Sequence, residues 1–222
     1  MLRTALALLL STICSSGLAG VIRSPTAVSQ NTLGNLTSDF DAENLINQGG
    51  LSSSFSSGVT DFDAYSSSHA VSEAAGFLWQ SASSTVSGVL DFDLGESLTI
   101  FQLALWTGGP TIHKNRDIKE FKVFTSADSS FTTATNVGEF TGTEYASNPL
   151  PAGVFDLVDT VARFVRLEIV SNHGGPVTRA GELAFDTSAS SVPEPSHVTL
   201  LTLSVIGCAV RAGRRRKSRF AC

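Results

Sequence analysis

Residues 163–170 read RFVRLEIV. On an extended chain Phe164, Arg166, Glu168 and Val170 fall on one side and Val165, Leu167 and Ile169 on the other, the period-two pattern of a β-strand. Short runs of the same kind recur on either side: GVLDFDLG (88–95), LTIFQLALW (98–106), IKEFKVFTS (118–126), NVGEFTG (136–142), GVFDLVD (153–159) and GELAFD (181–186). Gly, Asn, Asp or Pro bounds them, and no part of the body carries a 3.6-residue apolar stripe. From Val21 to Gln80 the chain is richer in Ser, Gly, Asn and Asp, as in LSSSFSSG (51–58) and AYSSSHA (64–70), so turns and loops dominate there. Repeated short strands with turn signals between them predict an all-β fold, a sandwich or jelly roll.

The chain has 222 residues, room for one ordinary domain with appendages. Charge is segregated along it. All 20 acidic residues lie at or before Glu194, whereas six of the 15 basic ones (Arg211, Arg214, Arg215, Arg216, Lys217 and Arg219) lie in the last twelve positions. Between Val21 and Val192 there are 19 acidic against 8 basic residues, a net charge near −11. That sign excludes a nucleic-acid binder, whose affinity for phosphate comes from Lys and Arg. The three cysteines, Cys14, Cys208 and Cys222, sit in the terminal segments, so the body has no disulfide framework and no thiolate metal site. Its stability must rest on an apolar core, which a body of about 150 residues can supply.

The N-terminus, MLRTALALLLSTICSSGLAG, has Arg3 before an apolar run and small residues at Gly17 and Ala19. These are the parts of a secretory signal peptide, predicting an N-terminal signal helix over residues 1–19 that signal peptidase removes after about Ala19. Ile13 before Cys14 argues against lipid attachment, which wants a small residue there. At the other end, Val198–Val210 is thirteen residues without a charge, a short transmembrane helix that spans only marginally. The basic block beyond it would stay in the cytoplasm, leaving the body outside.

The order Val192-Pro193-Glu194-Pro195-Ser196, then a brief apolar segment, then an arginine cluster, resembles the PEP-CTERM sorting signal of Gram-negative bacteria. The resemblance implies processing by an inner-membrane exosortase near the Pro-Glu-Pro, transient retention in the inner membrane, and release to the cell surface or extracellular matrix. Two prolines fix φ and hold the peptide extended for such a step. The expected organisation is a signal peptide (1–19), a β-sandwich domain (20–190, clearest over 88–186) and a sorting signal (191–222).

DFDLGESLTIFQLALW (91–106), IKEFKVFTSAD (118–128), ARFVRLEIVSNHGG (162–175) and GELAFD (181–186) follow one another as in a discoidin-type domain of the galactose-binding-like superfamily. The resemblance implies an eight-stranded jelly-roll β-sandwich whose loops at one end bind carbohydrate in most members, lipid or protein in others. Several members hold a structural calcium between an N-terminal loop and the Glu of the last strand. Glu182 matches that Glu, and Asp61 and Asp63 are the loop carboxylates assigned to it.

Asp-Phe-Asp occurs at 39–41, 61–63 and 91–93, and the third copy reads as structural because it lies on the Asp-Leu-Gly strand. Sugar recognition needs an aromatic face against pyranose C–H groups and polar side chains for the hydroxyls. Trp79 and His69 precede the first clear strand; Trp106, His113, Lys114, Asn115 and Arg116 belong to the loop WTGGPTIHKNRD (106–117); Asn172, His173 and Arg179 flank the turn before the last strand. The ligand-binding set is therefore Trp106, His113, Lys114, Asn115, Arg116, Asn172, His173 and Arg179. No H-E-x-x-H, G-x-S-x-G or glycine-rich phosphate loop is present, so the expectation is a non-enzymatic protein with a polysaccharide or matrix component as partner. A structural matrix protein without a specific ligand, or a glycan-processing enzyme whose carboxylates pair only in three dimensions, are the alternatives.

Overall fold

A computed structural model describes residues 20–68, 76–108, 113–144 and 151–188. Among the described residues nine strands run in chain order: β1 (Val21–Arg23), β2 (Ala27–Asn31), β3 (Trp79–Gln80), β4 (Gly88–Trp106), β5 (Ile118–Ser126), β6 (Thr135–Thr141), β7 (Gly153–Asn172), β8 (Arg179–Ala180) and β9 (Glu182–Thr187). One short helix, α1 (Phe62–Ser66), lies in the loop-rich first third, capped where the Asp61 carboxylate accepts from the Ala64 amide at 2.8 Å. The expected signal helix, the C-terminal transmembrane helix, the motif Val192–Ser196 and His69 lie outside the described residues.

Two long strands organise the rest. β4 and β7 pair antiparallel from Gly88 opposite Ile169 to Leu105 opposite Gly153, with the register interrupted between Asp93 and Leu98. On one side of that break β4 is joined by β2, and β7 by β5 and then β6; on the other, β4 is joined by β9 and then β1. Both strands thus pass from one layer into the next. The runs 88–95 and 98–106, separate in the sequence pattern, are halves of one bent strand.

The bend has a local cause. Gly95 sits at φ +84°, a conformation that disfavours any side chain, and a Cβ there would lie 2.9 Å from Thr26 Cγ2. Its amide donates to Asp93 Oδ1 at 2.8 Å, while Arg163 grips the same carboxylate with two bonds of 2.8 Å. These bonds, led by that from Arg163, hold the Asp93 carboxyl below its ordinary range. Asp91 is likewise held by Arg166 at 2.7 and 2.8 Å, and Phe92 between them is fully buried. The third Asp-Phe-Asp therefore clamps the sandwich.

Side-chain alternation divides the core. Leu103, Leu105, Leu183 and Phe185 join Phe92, Phe121, Val165, Leu167 and Ile169 between the layers. The opposite faces of the same strands carry Ala104, Trp106 and Ala184, which pack with Ile22 beneath Phe55, Phe62 and Tyr65. The serine-rich first third is thus a cover over the second layer, built on three aromatic anchors.

Candidate functional site

β4 ends at Trp106 and β5 begins at Ile118, while β7 ends at Asn172 and β8 begins at Arg179, so both connecting loops emerge at one end of the sandwich. A buried ion pair ties them. Arg179 Nε donates to Asp117 Oδ1 at 2.8 Å, with side chains 4% and 1% exposed, and the Gly108 amide donates to the same oxygen at 3.2 Å. Burial pushes the Asp117 carboxyl up and Arg179 pulls it back down. Gly108 is required: a Cβ there would meet Arg179 Cδ at 2.6 Å.

On this base Lys114–Arg116 forms a turn of 3₁₀ helix, closed by the bond from the Arg116 amide to the His113 carbonyl at 2.9 Å. The second loop packs on it, with the Gly175 amide donating to the Asn115 carbonyl at 2.8 Å and the His173 amide to the Asp117 carbonyl at 3.3 Å. Arg116 Nη1 donates to Gln80 Oε1 at 3.1 Å, bringing in β3. His113, Lys114, Asn115, Arg116 and His173 are half-buried, and Lys114 Nζ lies 3.6 Å from Glu144 Oε1. Five of the expected ligand residues, Lys114, Asn115, Arg116, Asn172 and His173, thus converge across two loops, with His113 at the edge. Residues 109–112, the middle of the first loop, lie outside the described residues.

Three expectations are corrected. Trp106 is fully buried, edge-on to Tyr65 at 6.2 Å between ring centres, because strand parity turns it under the aromatic cover. Trp79 is also fully buried, its indole N–H donating to the Gly34 carbonyl. Arg179 is the inner half of the buried pair. Asn172 sits among the loops but is committed to its own turn: Nδ2 donates to the Gly175 and Val177 carbonyls at 3.0 and 2.7 Å, and Oδ1 accepts from the Gly174 amide at 2.9 Å.

The calcium set is corrected as well. Glu182 is fully buried; its Oε2 accepts from the Gln48 amide at 2.9 Å, and its Oε1 has no hydrogen-bond partner among the described residues. Burial pushes its carboxyl up to about 9, against the bond from Gln48. Asp61 and Asp63 instead act on Asp186, four residues along β9, whose carboxyl is raised to about 6 by burial, Asp63, Asp61 and Asp159. Among the described residues no three Asp, Glu, His or Cys side chains converge to hold one metal ion. Glu182 fits a cation ligand because it is buried and half unsatisfied; Asp61 and Asp63 belong elsewhere. Sequence reasoning missed Gln48, although the Asn47-Gln48-Gly49-Gly50 turn was the available signal, and Gln48 sits at φ +60°.

No protein-family model matches the chain, and no curated protein matches it. Solved structures do. The family 32 carbohydrate-binding module of EndoD from Streptococcus pneumoniae superposes with a TM-score of 0.50 at 16% identity, covering 75% of this chain and 97% of that one. The CBM32-1 and CBM32-2 domains of ZmpB from Clostridium perfringens, in complex with GalNAc, superpose with a TM-score of 0.50 at 12% identity, covering 73% of this chain and 34% of that one. The fold is a jelly-roll β-sandwich, as in those modules. That agrees with the expected all-β sandwich.

Proposed function

We propose that this chain is a non-enzymatic carbohydrate-binding protein that takes its ligand on the loop end of the sandwich. The observation that carries the reading is the convergence of Lys114, Asn115 and Arg116 with the His173 turn, fixed from below by Asp117 and Arg179. Such a rigid polar rim suits hydroxyl recognition, since its groups are ordered before the ligand arrives. The likeness to modules that bind sugars in other proteins supports it. A glycan array on the purified chain, with and without calcium, tests the reading; a flat array would favour a matrix protein without a specific ligand, and hydrolysis of an arrayed glycan would favour an enzyme.

Secretion and sorting belong to the same proposal. The signal peptide at 1–19 and the tail from Val192 support export, exosortase processing near Pro193–Pro195 and a final place at the cell surface or in the matrix. Mass spectrometry of the mature termini tests this, and an arginine-rich end persisting on protein recovered from culture medium would sink it. Calcium is proposed as a structural ion only, with the buried, half-satisfied Glu182 carboxylate as its holder. It would neutralise a carboxylate that burial otherwise keeps protonated.

A further inference from the structure

With both tryptophans inside, the most exposed aromatic ring among the described residues is Phe77, at 41%. Its backbone is firmly held on both sides. The Gly76 amide donates to the Asp39 carbonyl at 2.8 Å, and the buried Asn44 side chain donates through Nδ2 to the Leu78 and Asp39 carbonyls, both at 3.0 Å. Leu78 is 1% exposed, which anchors the next residue in the core. The ring is therefore presented to solvent by a rigid segment.

Beside it lies an exposed amide. Asn47 Nδ2 donates to Asn44 Oδ1 at 3.1 Å, and Asn47 Oδ1 accepts from the Gly49 amide at 2.7 Å, which leaves one N–H and one lone pair to face outward. Gly49 separates the two groups: a Cβ there would stand 2.8 Å from Asn47 Oδ1 and 3.6 Å from Phe77 Cδ1. Its missing side chain leaves the notch between ring and amide open. Residues 44–49 (NLINQG) and 76–80 (GFLWQ), which carry the ring and the amide, have no charge of their own.

We propose that Phe77, Asn47 and Gly49 form a stacking subsite for a neutral pyranose, its C–H face on the Phe77 ring and a hydroxyl on the Asn47 amide. This rests on the carbohydrate reading and names a face of recognition apart from the cationic loops. An apolar ring held exposed next to a fixed amide matches the two-sided surface of a sugar better than that of a peptide or lipid.

The test is an array of galactose-, N-acetylgalactosamine-, glucose-, N-acetylglucosamine- and mannose-terminated oligosaccharides, probed with the full-length chain and its Phe77→Ala, Phe77→Trp, Asn47→Ala and Arg116→Ala variants. On the sugar that wild type binds, Phe77→Ala should raise the half-saturating concentration about tenfold or more, with an unchanged melting temperature. Phe77→Trp should keep binding and gain a sugar-dependent change in tryptophan emission, which the buried Trp79 and Trp106 do not supply in wild type. Full binding by Phe77→Ala would overturn the proposal while leaving the carbohydrate reading standing, and loss confined to Arg116→Ala would place the sugar on the loops instead. Absence of binding by wild type on every sugar would overturn both.

Discussion

Asp117 and Arg179 meet at 2.8 Å with both side chains almost wholly out of water, and the two loops that flank them are positioned by that contact. Removing Arg179 leaves the buried Asp117 carboxylate without its counter-ion. Arg179→Met should therefore destabilise the fold by about 3–5 kcal/mol, whereas Arg179→Met with Asp117→Leu should recover much of the loss. Urea unfolding of the two variants checks this, and equal losses would show that the pair's packing rather than its charge matters.

Gly95 at φ +84° against Thr26 makes the bend of β4 a position for glycine alone. Gly95→Ala should lower stability by roughly 1–3 kcal/mol, because the strained backbone is joined by a close contact. A smaller effect in thermal melting would mean that the strand relaxes at the break.

Asp93, held low chiefly by Arg163, stabilises the fold in its charged form. For a depressed carboxyl the contribution is present above the unfolded value and disappears as pH falls through the folded one. Asp93→Asn should flatten the fall in melting temperature below about pH 4, and a matching acid limb in wild type and variant would contradict the assignment.

Glu182 and Asp186 act in the opposite sense. Their carboxyls are raised from 4.5 to about 9 and from 3.8 to about 6, so the stability that their neutral forms provide is full at low pH and lost as pH rises through those values. In EDTA the melting temperature should fall from about pH 4 to pH 9. Glu182→Gln should remove the slope above about pH 6 and lessen it below, whereas Asp186→Asn should lessen only the part below about pH 6. Calcium at pH 8 should raise the melting temperature of wild type and leave that of Glu182→Gln unchanged; an equal response would move the ion away from Glu182.

Phe92 lies fully buried between two ion-paired aspartates. Phe92→Ala should cost about 3–5 kcal/mol, since it empties a volume that paired charges on either side cannot close. Equilibrium unfolding measures it directly.

The strands of the sandwich were legible because burial on one face writes alternation into residues such as Val165, Leu167 and Ile169. The loop cluster was partly legible: residues 113–116 and 172–173 announced themselves by composition and do meet. Trp106 and Arg179 misled because a residue type states what a side chain could do, while its direction depends on the register of β4, β8 and β9. Asp61 and Asp63 misled for a related reason, since strand pairing placed them by Asp186 rather than by Glu182.

By itself, then, the order of residues determined a disulfide-free β body, its charge and the sandwich class, since these follow from local alternation and from counts. Only the tertiary structure decided that Trp79 and Trp106 are core, that Phe77 is the most exposed ring among the described residues, and that the Glu182 carboxylate is buried with one oxygen held by the Gln48 amide and the other unsatisfied. Those outcomes depend on contacts between residues far apart in the chain, as between Gln48 and Glu182, and no local pattern encodes them.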